Sequence, residues 1–188
     1  MEVGLLSLWL PTLLAAIAVF LAGFVLHMVL PHHHTDFAKI GDEERFSVEI
    51  RAHDLARGQY ACPFAASPVD LKDPAFQERV AEGPVGIITI WPDEIGPSSG
   101  QLARHFLHVL VITIFVAYLT GTTVSAGMEY LKVFQVAGTA AFIGYAGAHP
   151  GESIWYHRSW PMTWKYVFDS LVYAGLTAGF FGWLWPGS

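Results

Sequence analysis

Apolar positions along this chain come in blocks, and the blocks predict its elements. Residues 5–30 (LLSLWLPTLLAAIAVFLAGFVLHMVL) contain no charged side chain. That run exceeds the ~20 residues needed to cross a hydrocarbon core. Pro11 falls near the first helical turn, where proline is tolerated, so the pattern predicts a span over about 11–30. A cleaved signal peptide is the competing reading. It is disfavoured because no Lys or Arg precedes the run and Pro-His-His-His makes a poor cleavage site. Further apolar blocks predict a second span over 104–124, a third over 131–149 and a fourth over about 166–185.

Residues 31–103 form the only large polar segment. Asp42-Glu43-Glu44 places acids at the start of a helix that runs to about Arg57, with Gly58 as its stop. Gln59 to Phe64 suits a short strand ended by Pro63. Asp73-Pro74 opens a second helix that ends before Gly83. The run 84–92 (PVGIITIWP) is the strongest strand signal, and it is expected to pair with 59–64. Residues 93–100 read as a flexible exit, and 150–165 as an interfacial loop carrying Trp155, Tyr156, Trp160 and Trp164.

The expected fold class is therefore an all-α integral membrane protein. Four transmembrane helices carry a small cytoplasmic α+β insert between the first and second. The expected divisions are 1–30 as the first span, 31–103 as the insert and 104–188 as a three-helix bundle.

Composition agrees. Hydrophobic residues make up 53% and charged residues 14%, against roughly 25% charged in a soluble domain. The net charge of −6 and the lack of a basic patch argue against nucleic acid as a partner. A single cysteine, Cys62, excludes an internal disulfide, a CxxC pair and a CxxCH haem attachment. Of the ten Lys and Arg, all but Lys132 fall on the side shared by 31–103, Arg104 and 150–165. The positive-inside rule then puts that side in the cytoplasm of a bacterial inner membrane, with both termini outside.

That topology gathers histidines. His27, His32, His33 and His34 lie at the exit of the first span, His105 and His108 at the start of the second, and His149 at the end of the third. Neutral imidazole binds zinc, copper or iron, so these seven are candidate metal ligands, and Asp36, Glu152 and Asp169 are carboxylates that would join them. Asp169, about one turn into the fourth span, requires a partner. The alternatives are an interfacial belt of amphipathic rings or a pH-responsive face. No spacing matches HExxH, and no nucleophile–base motif or phosphate loop is present. Four spans without an internal repeat also give no transporter signature.

Small residues at four-residue spacing supply faces for helix packing: Ala140, Gly144 and Ala148 on the third span, Gly175 and Gly179 on the fourth with Gly182 nearby, and Thr113, Ala117, Gly121 and Ser125 on the second. These faces serve either the chain's own bundle or another subunit.

The succession Pro31-His32-His33-His34-Thr35-Asp36-Phe37, Gly58-Gln59-Tyr60, Gly83-Pro84-Val85 and residues 171–179 (LVYAGLTAG) resembles a family of uncharacterised bacterial four-span inner-membrane proteins with a PHH-x-x-D-F segment after the first span. The resemblance implies a bacterial inner-membrane setting and transfers no activity, cofactor or catalytic residue.

The leading expectation is a non-catalytic accessory or scaffolding subunit of a larger membrane assembly, respiratory or photosynthetic, with the bilayer and other membrane subunits as partners and no cofactor. The alternative is a redox protein holding a transition metal or haem on the cytoplasmic histidines.

Overall fold

The computed structural model describes residues 3–91 and 96–187. In chain order the elements are α1 (Trp9–Phe24), α2 (Glu43–Ala52), β1 (Gly58–Cys62), α3 (Pro74–Glu82), β2 (Gly86–Ile90), α4 (Ser99–Thr123), α5 (Tyr130–Ala146), α6 (His149–Tyr156) and α7 (Trp160–Trp183). A 3₁₀ turn, Leu5–Leu8, leads into α1, and a π-helical turn, Val25–Val29, extends it. The chain is mostly helical with one small two-stranded sheet. It divides into two compact units, Ala38–Gly96 and the remainder.

The smaller unit follows the polar pattern closely. Asp42 caps α2 by accepting a hydrogen bond from the Arg45 backbone N–H at 3.0 Å. Asp73 caps α3 in the same way through Ala75, and Pro74 occupies the first turn. Strands β1 and β2 pair antiparallel with Tyr60 opposite Ile88. Helix α2 ends at Ala52, short of the expected Arg57. Asp54, at φ +47°, lies just beyond it in left-handed backbone. Part of the expected flexible exit, residues 92–95, lies outside the described residues.

The larger unit is built from α1, α4, α5, α6 and α7. Two stretches, Leu5–Val29 and Ser99–Thr123, are long and apolar enough to cross a membrane, with mean hydropathies of 2.4 and 1.8. Ser98 starts α4 with a capping box, its backbone N–H donating to the Gln101 side chain at 2.8 Å. The segment 150–165, expected as a loop, instead contains α6 and the first turn of α7. Pro150 and Pro161 explain both starts, since a fixed φ favours the first helical turn.

Phe181, Leu8 and Trp185 are buried, but much of the interior is lined by small side chains and many large ones face outward. Ala15, Ala137, Ala141 and Ala178 are fully buried, whereas Leu21, Phe115, Ile143 and Trp183 are exposed. Helices α5 and α7 meet where Gly138 faces Ala178 and Gly182 faces the Tyr130 ring. A Cβ on Gly182 would come within 2.7 Å of that ring. On α4 the expected stripe is buried within the unit at Thr113, Ala117 and Gly121, while Ser125 lies beyond the helix end and is exposed. On α5 and α7 the innermost stripes are one residue off those expected from spacing. Gly144 meets Ile112 of α4 and Ala140 packs at the margin of the core, while Ala148 is exposed. Gly179 touches only the Tyr130 hydroxyl, and Gly175 has open space beside it. Four-residue spacing marks a face but does not say which face a neighbour will cover.

Candidate functional site

The exit of the first apolar stretch folds back onto the start of α7. His27 lies within the π-helical turn, where each residue advances less about the helix axis than in an α-helix. Leu30 then adopts extended backbone, and Pro31 starts a 3₁₀ turn that carries His32 and His33. These turns bring three imidazoles onto one carboxylate, that of Asp169, whose side chain is 1% exposed. His33 Nε2 lies 2.7 Å from Asp169 Oδ2, and His32 Nε2 lies 3.1 Å from Oδ1. His27 Nε2 is 3.5 Å from Oδ2. The His27 and His33 rings stack with centroids 4.0 Å apart and planes 16° from parallel.

Asp36 closes the other side of His33. Its Oδ2 lies 2.6 Å from His33 Nδ1. Its Oδ1 accepts from Lys165 Nζ at 2.7 Å, and the same ammonium donates to the Thr35 hydroxyl at 2.8 Å. Burial pushes the Asp36 carboxyl up, but the hydrogen bonds from Lys165 and His33 outweigh it and hold it below the ordinary carboxylate value. Lys165 and Asp169 are one helical turn apart on α7, so one face of that helix grips both ends of His33. Tyr166, between them, lays its ring 5.1 Å from His33, 5.5 Å from His27 and 5.2 Å from His149.

The proton count in this cluster decides its chemistry. An ionised carboxylate only accepts hydrogen bonds. With a proton on Nδ1 for Asp36, a neutral His33 presents the lone pair of Nε2 to Asp169. A lone pair and a carboxylate oxygen at 2.7 Å repel unless a proton or a metal cation lies between them. His27 and His32 bring two further nitrogens to the same carboxylate, and as Nε2–H tautomers they can donate to it, so the demand for positive charge centres on His33 between its two carboxylates. Leaving Asp169 ionised and unpaired in this burial would cost several kcal/mol. The site is built for a positive centre.

The dimensions fit a small transition metal. Ligand atoms from His27, His33 and Asp169 all lie within 4.8 Å of one another. Metal bonds of ~2.1 Å at tetrahedral angles place ligand atoms roughly 3.4 Å apart. His27 to Asp169, at 3.5 Å, already has that spacing. His33 to Asp169 is closer, at 2.7 Å, and has to open by less than ~1 Å.

Of the seven candidate histidines, His27, His32 and His33 are thus brought together. His34 is exposed and outside the cluster. His149 lies outside the metal-ligand group, with its ring 5.2 Å from that of Tyr166 and a hydrogen bond to the Tyr145 backbone. His105 packs against Phe20 and faces Gly23, with His108 exposed on the same helix. Sequence reasoning named Asp36 and Asp169 as carboxylates but not their arrangement around His33. It missed Lys165 and Tyr166; the Lys165–Asp169 spacing on one helix face was the available signal. Glu152 pairs with Arg158 instead, at 3.5 Å.

No protein-family model, curated protein or solved structure matches this chain.

Proposed function

We propose that this chain is a four-span membrane protein that binds one first-row divalent transition metal, such as zinc, where the first span ends. The observation that carries the metal reading is the convergence of His27, His32 and His33 on the buried Asp169 carboxylate. Two nitrogens and an oxygen within 4.8 Å of one another, from His27, His33 and Asp169, are donors suited to zinc, iron or copper, with His32 on the carboxylate's other oxygen. Haem is disfavoured by the same geometry. The His27 and His33 rings stack face to face, whereas paired axial ligands approach a macrocycle from opposite sides. His27 and His32 remain about one-third exposed, at 35% and 27%, so the ion has a solvent-facing side. A metal with such an open position acts as a Lewis acid toward water or a bound ligand.

Four spans are supported by the company that α5 and α7 keep. Helix α7 packs against α1 and α5 against α4, and α7, at 24 residues, reaches about 36 Å at 1.5 Å per residue. Lys165 and Asp169, which interrupt its hydropathy, are the residues turned into the histidine cluster. Exposed Trp155, Trp160 and Trp164 near the cluster, and Trp9 and Trp183 toward the other helix ends, suit the two headgroup boundaries. The orientation follows the basic residues, with the polar insert cytoplasmic. Cys62, exposed and free, reports on it. A membrane-impermeant maleimide should label Cys62 in inside-out vesicles and not in intact cells; the reverse pattern removes the orientation.

Detergent-purified protein loaded with Zn(II) should retain one ion per chain after desalting. Asp169→Asn and His33→Ala should lose it while eluting as wild type does. Folded wild-type protein that holds no stoichiometric metal overturns the reading.

The scaffolding reading retains one supporting observation. A Cβ on Gly175, whose helix also exposes Leu171 and Phe168, would meet nothing within 4 Å among the described residues. A gentle extraction that yields only a monomer removes it.

A further inference from the structure

Two carboxylates hold the two nitrogens of His33, and they are not equivalent. Asp169 shares its oxygens among three histidines. Of the three clustered histidines Asp36 meets His33 alone, at Nδ1, the nitrogen on the far side of the ring from the Nε2 that meets Asp169. We propose, resting on the metal reading above, that Asp36 is a positioning residue for the metal site, and that Lys165 is the residue that holds it in place.

The geometry carries each step. The Asp36 side chain is 4% exposed and that of His33 is 8% exposed, so neither has water as an alternative partner of comparable access. At 2.6 Å the contact has the length of a charge-assisted hydrogen bond. A proton fixed on Nδ1 leaves Nε2 as the donor atom for a metal, and the carboxylate behind the ring raises its basicity. Asp36 sits only three residues after His33 and has no helix of its own to fix it. What fixes it is α7, through Lys165 Nζ at 2.7 Å from its second oxygen. Lys165, Asp36, His33 and Asp169 therefore form a closed circuit that begins and ends on one face of α7. In this circuit a ligand on a short turn inherits the rigidity of a long helix.

The test compares Co(II) and Zn(II) binding by the full-length protein in detergent with that of Asp36→Asn, Asp36→Ala, Asp36→Glu and Lys165→Met. Loss of a carboxylate behind a ligating histidine costs about 10–100-fold in metal affinity. Asp36→Asn and Asp36→Ala should fall in that range with stoichiometry still one, because the ligand set is intact. Their Co(II) visible bands should shift as the His33 donor weakens. Asp36→Glu should restore most of the affinity, and Lys165→Met should lose less than Asp36→Ala. The ¹⁵N resonances of His33 in metal-free protein provide a readout independent of loading. They should show Nδ1 protonated in wild type and a changed tautomer balance in Asp36→Ala. Should Asp36→Ala fail to fold, the Asn and Glu variants decide. Wild-type affinity and unchanged Co(II) bands in Asp36→Asn overturn this inference alone. Failure of the wild type to take up either metal overturns it together with the proposed function.

Discussion

The two ends of the larger unit are held together by opposite means. Where α1 finishes and α7 starts, ionisable side chains meet: three histidines, two aspartates and a lysine. At the other end, backbones meet. Val3 N–H donates to the Gly121 carbonyl at 3.0 Å, and Gly127 N–H donates to the Pro186 carbonyl at 2.9 Å. Trp185 Nε1–H donates to the Ser125 carbonyl at 3.0 Å. A Cβ on Gly121 would stand 2.6 Å from the Val3 carbonyl oxygen, a contact no side chain can make. Bringing ionisable groups out of water is expensive unless each is paired, whereas close-packed backbones and small side chains satisfy themselves. The apolar end is suited to holding the helices together. The polar end is where the chain accepts a cost that only a bound ligand or a complete network offsets.

Breaking either end should leave the other measurable. The largest effect is expected from Gly121→Ala, since the obstacle is backbone and not a side chain free to rotate. Overpacking of this kind costs about 1–3 kcal/mol, read as a lower unfolding midpoint in detergent, with metal affinity unchanged. Equal loss of metal binding would show that the two ends are one cooperative device. Trp185→Phe removes a single donor to the Ser125 carbonyl and should cost about 1 kcal/mol, again without touching the metal.

The polar end has its own signature in acid. Asp36 titrates below its ordinary value of 3.8 in the folded chain. Its contribution is therefore complete above that value and is lost as pH falls through the lower, folded value. The stability difference between metal-free wild type and Asp36→Asn should stay flat from pH 7 to about pH 5 and disappear in stronger acid. A difference that persists at pH 2 would mean the contact is not ionic. The smallest effect is expected at Gly175, where an added Cβ meets nothing within 4 Å. Gly175→Ala should leave the unfolding midpoint of the monomer unchanged. If it dissociates a complex instead, that face belongs to another subunit.

Local signals in the chain were strong where local chemistry decides. The acids at Asp42 and Asp73, the prolines at helix starts and the β-branched run 86–90 fix elements through contacts only a few residues apart, whereas the Ser98 capping box starts α4 inside the stretch expected as a flexible exit. The two apolar stretches were legible from hydropathy alone. Packing partners were not. The spacing of Gly175 and Gly179 is as good as that of Ala174, Ala178 and Gly182, yet only the latter three are buried. Neighbouring stripes of one helix differ by a rotation of about 100°, and only the position of α5 selects between them.

The histidine cluster divides along the same line. Residue order is enough to gather histidines at the exit of the first apolar stretch and to require a partner for Asp169, because an isolated charge in an apolar helix is costly wherever it folds. Which histidines meet it depends on how the helices pack. His27, His32 and His33 lie more than 130 positions from Asp169 in the chain. Their convergence depends on a π-turn, an extended residue at Leu30 and the angle at which α7 passes. Those are properties of backbone geometry and helix packing, and no spacing of residue types encodes them.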